Sequence, residues 1–226
     1  MTTVDVLGTG FVRLDAHMAT DESVVNSARV SFGKRIDSLG SADIGLINFL
    51  MRSRHGTPFE HNSFRFHVKA PIFVAREWFR HRIGSFNEYS GRYAVMNDDT
   101  YVPDIDDMRT QVGKPGSYIF EQLEPTMATK AQKLMAECNT QSFATYQFLV
   151  DSGVAKELAR TVLPLATYTE FYWTVNARAL MNFLSLRNDV AAQYEIRMYA
   201  KAIETMFKDL MPFTYEAWSK CGRVAP

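Results

Sequence analysis

The sequence predicts a mixed fold of the α+β or α/β class, in a single domain that covers residues 1–226. Three observations support this prediction. Segments with the apolar–polar alternation of half-buried strands share the chain with segments that have helical spacing and helix-capping residues. The two kinds of segment follow one another irregularly, and the strands are too few for a barrel. No internal repeat or long linker rich in proline and glycine divides the chain.

The first half of the chain is expected to contain strands and helices in alternation. A loose alternation predicts a first strand over 4–14. Capping residues and apolar spacing predict two helices, one from Asp21 to Arg29 and one that starts at Ser41 or Asp43. The remaining expected elements are a strand over 63–69, a helix over 71–82, a polar, turn-rich segment over 84–91 and a strand over 92–96.

The second half is expected to be mainly helical. Its longest helical stretch covers 117–151, and Gly153 ends it. A dense run of β-branched and aromatic residues predicts a strand over 167–175. The other expected elements are a loop that contains Pro103, Gly113, Pro115 and Gly116, helices over 154–162 and 177–186, and a helix that Asp189 caps and Pro212 ends.

Composition limits the classes of function. The 25 Lys and Arg residues balance the 25 Asp and Glu residues, so no overall charge attracts the chain to nucleic acid or to a membrane. The two cysteines, Cys138 and Cys221, lack the spacing of a disulfide framework or a metal site. Neither a signal-peptide pattern nor an apolar run of membrane-spanning length is present. The expectation is a cytoplasmic protein without a membrane partner.

The densest group of chemistry-bearing residues lies in residues 76–92. It holds four arginines, one histidine and two serines, interleaved with aromatic residues. The planar guanidinium group suits bidentate binding of phosphate, and serines and glycine amides in a loop can complete an anion site. A run of charge more often forms a solvated face. On the residues alone, these two interpretations are about equally supported.

Two further segments carry polar residues with possible functions. Arg178 and Asn182 are four residues apart and share one helical face, while Asn176 stands where it can cap that helix. A cap and a surface arginine are the simpler interpretation of this segment. His55 and His61 flank a loop between a helix and a strand, but their spacing favours a structural or substrate-facing role over a metal site.

Taken together, these segments resemble the flavin-dependent thymidylate synthases. The signature of that family is Arg-His-Arg, seven residues and then Ser, which is here Arg80-His81-Arg82 followed by Ser90. The other agreeing segments are 55–61, 159–164 and 173–187, within a resemblance that spans about residues 45–210. The resemblance implies the fold of that family, a single domain with a central, largely antiparallel sheet flanked by long helices.

The resemblance also implies a methyltransferase that converts dUMP to dTMP by reductive methylation. It implies FAD as hydride carrier, NADPH as reductant of FAD, 5,10-methylenetetrahydrofolate as carbon donor, no metal, and a homotetramer with shared active sites. The positions that match FAD contacts are Thr57, Arg80, His81, Arg82, Glu88, Asn176, Arg178 and Asn182, with His55 on the flavin side. Those that match dUMP contacts are Arg80, Glu88, Ser90, Gly91, Arg92, Arg160 and Arg187.

Within that family, Arg187 is expected to be catalytic, because it would stabilise the anionic pyrimidine. If it only holds the fold, its expected partner is Glu170 or Asp189. Ser90 lacks a neighbouring base and is expected to bind substrate rather than act as nucleophile. Glu77 stands where many members have Gln, and its role is left open.

Two other classes of protein were weighed against this resemblance. A nucleic-acid-binding module would use the arginines for phosphates and the aromatic residues for stacking, but it predicts a basic chain. A metal-dependent hydrolase would use His55, His61, His67 and His81 as ligands. Neither class accounts for the joint order of the four matching segments.

Overall fold

The computed structural model describes residues 2–114 and 117–226, so Pro115 and Gly116 of the expected loop lie outside the described residues. The strands are β1 Thr3–Val6, β2 Gly10–His17, β3 Ser63–Pro71, β4 Ser85–Glu88, β5 Arg109–Val112, β6 Ile119–Gln122 and β7 Tyr168–Asn176. The helices are α1 Asp21–Arg29, α2 Ser41–Arg52, α3 Thr57–Glu60, α4 Ile72–Trp78, α5 Pro125–Asp151, α6 Lys156–Ala159, α7 Ala177–Arg187, α8 Tyr194–Leu210 and α9 Pro212–Lys220.

The main sheet has five strands in the order β1-β2-β3-β7-β4. The pairs β1–β2, β2–β3 and β4–β7 are antiparallel. The strands β5 and β6 form a separate antiparallel pair. The expected mixed fold with a largely antiparallel central sheet is therefore confirmed.

The described chain divides into two compact units. The first contains the chain up to Ala70, Val74–Glu88 and the chain from Thr169 onward, and so holds most of the main sheet with α7, α8 and α9. The second contains Pro71–Phe73 and Tyr89–Tyr168, with β5, β6, α5 and α6.

Aromatic packing forms the core of the first unit. The ring of Trp78, at the end of α4, lies 4.9 Å from that of Phe183 in α7 and 5.4 Å from that of Trp173 in β7. All three side chains are fully buried. Such rings bury large apolar areas and fix one another's orientation. The end of α4 is thereby fixed against α7, and both elements carry predicted site residues.

The core of the second unit forms where α5 packs near the short helix α6. Tyr146, Met96 and Ala159 are its buried members. The hydroxyl group of Tyr146 accepts a hydrogen bond from the backbone N–H of Met96 at 2.9 Å. This bond satisfies a buried polar group and ties the segment after β4 to the middle of α5.

The strand predicted over 4–14 is wrong, because the structure forms the β1–β2 hairpin there. Leu7 and Gly8 have φ angles of 52° and 72°, and this left-handed backbone reverses the chain. The strand predicted over 63–69 is confirmed as β3. Phe64 and the alternate apolar residues after it are fully buried, as the period of two requires.

Several predicted helix caps have other roles. The helix predicted over 21–29 is confirmed as α1, but Thr20 caps it, while the carboxylate of Asp21 accepts hydrogen bonds from the first backbone N–H groups of α9. Gly40 is the capping residue of α2, and Asp43 reaches back to its N–H at 2.9 Å. Asp189 bonds the N–H two residues on, and α8 begins only at Tyr194.

The segment around the Arg-His-Arg motif also differs from the prediction. The helix predicted over 71–82 is too long, because α4 ends at Trp78. The turn-rich segment predicted over 84–91 contains β4. The strand predicted over 92–96 is wrong, because the carbonyl oxygen of Ser90 accepts two backbone hydrogen bonds that close a turn.

The long helix is shorter than predicted. The prediction over 117–151 placed β6 in the helix, but α5 starts at Pro125, and the carboxylate of Glu124 caps it through two backbone N–H groups. The helix predicted over 154–162 is divided into α6 and a 3-10 turn over Arg160–Val162. Pro212 does end α8, but it also begins α9, a helix that was not predicted. The strand predicted over 167–175 and the helix predicted over 177–186 are confirmed as β7 and α7.

Candidate active site

The Arg-His-Arg motif occupies the turn just beyond α4. The backbone N–H groups of Arg80 and His81 donate to the carbonyl oxygens of Glu77 and Trp78 at 3.3 and 3.0 Å, so the turn continues the helix irregularly. The buried ring of Trp78 fixes its start. The motif opens onto a cavity of about 340 Å³ lined by Arg80, His81, Arg82, Ile83, Ala179, Asn182, Leu186 and Arg187.

This cavity joins residues that are about a hundred positions apart in the sequence. Five predicted site residues line it, and three of them are arginines, so its electrostatics favour anionic ligands. Arg80 and Arg82 line the cavity but are also exposed to solvent, so the structure leaves both interpretations of the charged segment open for them. The structure confirms that the motif and α7 meet at one place in the first unit.

Arg187 is held by three hydrogen bonds at the edge of the cavity. Its Nε donates to Nε2 of His81 at 2.9 Å. Its Nη1 donates to the Oε2 of Glu77 at 3.2 Å, and its Nη2 to the carbonyl oxygen of Glu77 at 3.3 Å. The partners considered for a purely structural role, Glu170 and Asp189, are instead bonded to His67 and to a backbone N–H.

The protonation of this group follows from its burial. Burial, followed by the charge of Arg187, lowers the pKa of His81 from 6.5 to about 4. His81 is therefore neutral near pH 7, and its Nε2 is free of a proton and accepts from Arg187. Burial raises the pKa of Glu77, against the opposing effect of Arg187 and with a further rise from Glu195. Arg187 thus has one carboxylate and two neutral acceptors around it.

The start of α7 is shaped by Asn176. Its side-chain oxygen accepts from the backbone N–H of Ala179 at 2.8 Å, which confirms the predicted cap. Arg178 follows in the first turn, and its Nη1 donates to Oε1 of Glu60 at 2.6 Å. Asn182 lies one turn later and lines the cavity described above. The predicted spacing of Arg178 and Asn182 on one helix is confirmed.

A second cavity of the first unit, about 830 Å³, lies around the loop between α2 and α3. His55, Gly56 and Thr57 line it, with Arg54 and residues of α1 and the turn after it. The ring of His55 meets that of Phe49 edge-on, with 5.6 Å between centroids. A Cβ on Gly56 would lie only 2.6 Å from Nε of Arg178, so Arg178 contacts the backbone of this loop.

At the edge of the main sheet, β4 positions Glu88. The Oε1 of Glu88 accepts from the hydroxyl group of Thr169 in β7 at 2.8 Å. The antiparallel pairing of Glu88 with Phe171 places the two side chains on adjacent strands. This predicted site residue is held by a neutral donor and keeps its carboxylate exposed.

The remaining predicted site residues cluster in the second unit. The backbone N–H of Arg92 lies 3.4 Å from the Ser90 hydroxyl oxygen. A Cβ on Gly91 would lie 3.2 Å from Cδ of Arg160, so the absence of a side chain lets Arg160 approach the turn. Arg92 also pairs with Glu157 at 3.2 Å, but both side chains are more than half exposed, and such a pair contributes little to stability.

The histidines and cysteines show no metal-binding arrangement in residues 2–114 and 117–226, where no group of three or more His, Cys, Asp or Glu side chains could hold an ion. His67 lies between Arg13 and Glu170 and stacks on Tyr172. Both cysteines are free thiols. In the same described ranges, no helix has both the length and the apolar character needed to cross a bilayer.

Two partners of the site residues were not predicted from the sequence. Glu60 lies inside the quoted loop motif but was not assigned to Arg178, which is 118 residues away. Glu77 was noted as unusual but not assigned to Arg187. Its place one helical turn before His81 was the available signal, since residues so spaced share a face.

Comparison with known proteins agrees with this geometry. Residues 13–213 match the family described as thymidylate synthase complementing protein. The flavin-dependent thymidylate synthase of Thermosipho africanus is 49% identical over 215 residues, which cover 95% of this chain and 93% of that protein. That of Tropheryma whipplei (strain TW08/27) is 46% identical over 226 residues, with coverage of 95% and 94%.

A solved structure shows the same fold. The UMP/dUMP methylase PolB from Streptomyces cacaoi, bound with 5-Br dUMP, is 43% identical and has a TM-score of 0.89 over 99% of this chain and 100% of that chain. The same enzyme bound with 5-Br UMP has a TM-score of 0.88 at 45% identity, with 96% of each chain covered. The chain therefore belongs to the flavin-dependent thymidylate synthase family.

Proposed function

We propose that this protein is a flavin-dependent thymidylate synthase that methylates dUMP reductively to dTMP. The observation that carries the proposal is the cavity where the Arg-His-Arg motif meets Asn182 and Arg187. A neutral chain concentrates three guanidinium groups there, which suits phosphorylated ligands. The proposal treats the whole chain as one catalytic domain that works in the cytoplasm.

The cofactor proposed is FAD, with NADPH as its reductant and 5,10-methylenetetrahydrofolate as the carbon donor. The residues present fit a dinucleotide. Arg80, Arg82 and Arg178 offer cationic groups, Asn182 offers an amide, and the loop at Gly56 leaves no room for a side chain beside Arg178. Reduced FAD, when bound, would supply the hydride. His55 and Thr57 would contact it from the larger cavity.

Arg187 would stabilise the substrate as negative charge develops on the pyrimidine. Its guanidinium group is already oriented by His81 and by the Oε2 and the backbone carbonyl oxygen of Glu77, so little reorganisation is needed during the reaction. Because His81 is neutral, it orients Arg187 without adding a second positive charge to the pair. The contact would be strongest in the transition state.

Contacts to dUMP would also come from Glu88, Ser90, Gly91, Arg92 and Arg160. The proposed assembly is a homotetramer whose active sites are built from more than one subunit. The exposed apolar residues of α5 support an assembly, because Leu134, Met135 and Phe148 are 55%, 40% and 69% exposed.

The test is reconstitution of the reaction. Purified protein is incubated with dUMP, 5,10-methylenetetrahydrofolate, NADPH and FAD, and dTMP is measured by chromatography, with each component omitted in turn. We expect a yellow protein that releases FAD on denaturation and forms dTMP only with all components. A protein that stays colourless with FAD, or one that forms no dTMP, contradicts the proposal.

UMP is included as a second substrate, since the related methylase is named for both nucleotides. Preference for dUMP supports thymidylate synthesis. Equal or faster methylation of UMP would assign the chain to UMP methylation instead. The comparison of dUMP with UMP thus tests the choice of substrate, and the release of FAD tests the choice of cofactor independently.

A further inference from the structure

The last residues of the chain fold back onto the elements that carry the proposed flavin contacts. An oxygen of Pro226 accepts from Nε of Arg178 at 2.5 Å, and the carbonyl oxygen of Ala225 accepts from Nη1 of Arg54 at 2.9 Å. The carbonyl oxygen of Arg223 accepts from the hydroxyl group of Ser185 in α7. Segment 223–226 therefore contacts both α7 and the loop before α3, and Pro226 itself is buried.

Arg223 anchors this segment. Its two terminal nitrogens donate to the two carboxylate oxygens of Glu204 in α8, at 2.7 and 2.6 Å. Its guanidinium group also lies over the ring of Trp218, 4.3 Å from the centroid. Burial opposes ionisation of Glu204, but the hydrogen bonds from Arg223, Asn188 and Tyr215 lower its pKa overall. The pair is thus bidentate and charged, with Glu204 mostly buried and Arg223 35% exposed.

The backbone of Arg223 supports a positional role. Its φ angle is 57°, in the left-handed region that is unfavourable for a residue with a Cβ. Contacts elsewhere must stabilise such a conformation, and strained residues of this kind concentrate at functional sites. Here the Glu204 pair holds the turn that directs Val224, Ala225 and Pro226 towards the loop before α3.

The loop before α3 packs closely against Arg178 and Pro226 at Gly56. A Cβ there would lie 2.6 Å from Nε of Arg178 and 2.9 Å from an oxygen of Pro226. The φ angle of Gly56 is −74°, which any residue adopts, so close approach rather than backbone freedom explains the glycine. Within the described residues, Nε and Nη1 of Arg178 are bonded and Nη2 has no protein partner, which leaves the Nη2 end of the guanidinium group for a ligand.

We propose that segment 223–226, anchored by Arg223, is a positioning element that holds Arg178 and Arg54 ready for FAD. This inference rests on the proposed function, because it is that function which makes Arg178 a contact of FAD. These contacts orient the two guanidinium groups while further N–H donors remain for a ligand. Without the segment, both arginines would have to be ordered when FAD binds, at a cost in affinity.

The test compares full-length variants of the FAD-free protein. Arg223→Gln removes the anchor, Arg223→Lys keeps the charge but not the bidentate geometry, and Lys220→Gln removes an exposed ion pair of α9 as a control. FAD dissociation constants are measured by flavin fluorescence, and melting temperatures without FAD are recorded in parallel. We expect Arg223→Gln to weaken FAD binding about tenfold, Arg223→Lys to weaken it less, and the control to match wild type.

A purely structural role for Arg223 would lower the melting temperature but leave the dissociation constant of the folded protein unchanged. FAD binding by Arg223→Gln within twofold of wild type would overturn the proposal. Should that variant not fold, Gly56→Ala displaces the same contact without touching Glu204, and unchanged FAD binding there would overturn it equally. A wild-type protein that binds no FAD would instead contradict the proposed function.

Discussion

Replacement of Arg187 by alanine tests the proposed mechanism most directly. The change removes a guanidinium group that makes three hydrogen bonds, with His81 and with two oxygens of Glu77. Loss of one preorganised donor of this kind lowers turnover on the order of 10²–10³-fold, or about 3–4 kcal/mol in the activation free energy. The pyrimidine of bound dUMP carries less negative charge than it does in the transition state, so the affinity for dUMP is expected to change much less than the turnover.

The stability cost of the same change is smaller. The side chains of Arg187 and Glu77 are 23% and 28% exposed, so the pair lies between the surface and buried limits. Loss of Arg187 leaves a carboxylate whose pKa burial already raises, and Glu77 can take up a proton rather than remain charged and unpaired. We expect a loss of about 1–2 kcal/mol in the free energy of unfolding, between the values for exposed and buried pairs.

The assay measures dTMP formation per FAD-loaded molecule, the dUMP dissociation constant and the melting temperature on one preparation. Arg187→Lys should recover only part of the turnover, because an ammonium group cannot reproduce the planar fork that reaches His81 and two atoms of Glu77. Arg65→Ala is the matched control, since it removes an arginine that pairs with Asp15 on the sheet. Near-normal turnover of Arg187→Ala, together with a large fall in melting temperature, would refute the catalytic role and leave a structural one.

The remaining predictions concern protonation, assembly and the cysteines. Because the pKa of His81 is lowered on folding, the unfolded chain binds a proton at His81 between about pH 4 and 6.5 that the folded chain does not. The contribution of His81 to the free energy of unfolding therefore rises with pH across that window and is complete above it. NMR titration should give a pKa near 4, and a pKa near 6.5 would exclude the neutral, buried ring. Mixing a Ser90→Ala variant with an Arg187→Ala variant should restore some dTMP formation if subunits share active sites, and a fully active monomer in light scattering would contradict this. Replacement of Cys138 and Cys221 by serine should leave turnover within a few-fold of wild type, because neither thiol belongs to the cavity; a folded, FAD-loaded double variant without activity would show otherwise.

Elements with a strong local pattern were predictable from the sequence. The strand β7 has alternating buried aromatic residues, and Asn176 marks the start of α7 by its own chemistry. The short strand β4 was missed because its stability comes from pairing with a distant strand rather than from an apolar run of its own. The strand β6 pairs with the nearby β5, but all four of its residues are exposed, so it has no buried alternation to mark it. The polar β4 is a strand because it pairs with β7, whose partner residues lie almost ninety positions later.

Helix starts illustrate a different limit. An acidic residue before an apolar run predicts a cap, but the same carboxylate can cap another helix brought near by the fold. Asp21 does this for α9, whose first N–H groups lie 192 and 193 positions further on. Asp43 acts from inside its helix rather than before it. Local sequence shows that a capping group is present, but the tertiary fold decides which helix it serves.

The site shows the same division between groups that sequence reveals and groups that only the fold reveals. The arginines were identifiable because their number and order are distinctive, but their acceptors were not. Arg187 is held by one carboxylate, one neutral histidine and one carbonyl oxygen. Arg178 is held by the carboxylate of Glu60 and an oxygen of Pro226, both distant in the sequence. Neutral acceptors have no charge pattern in a sequence, yet they fix a guanidinium group while preserving most of its charge. A chain with no net charge can therefore present positive groups to anionic ligands, because part of their orientation comes from backbone and imidazole rather than from balancing carboxylates.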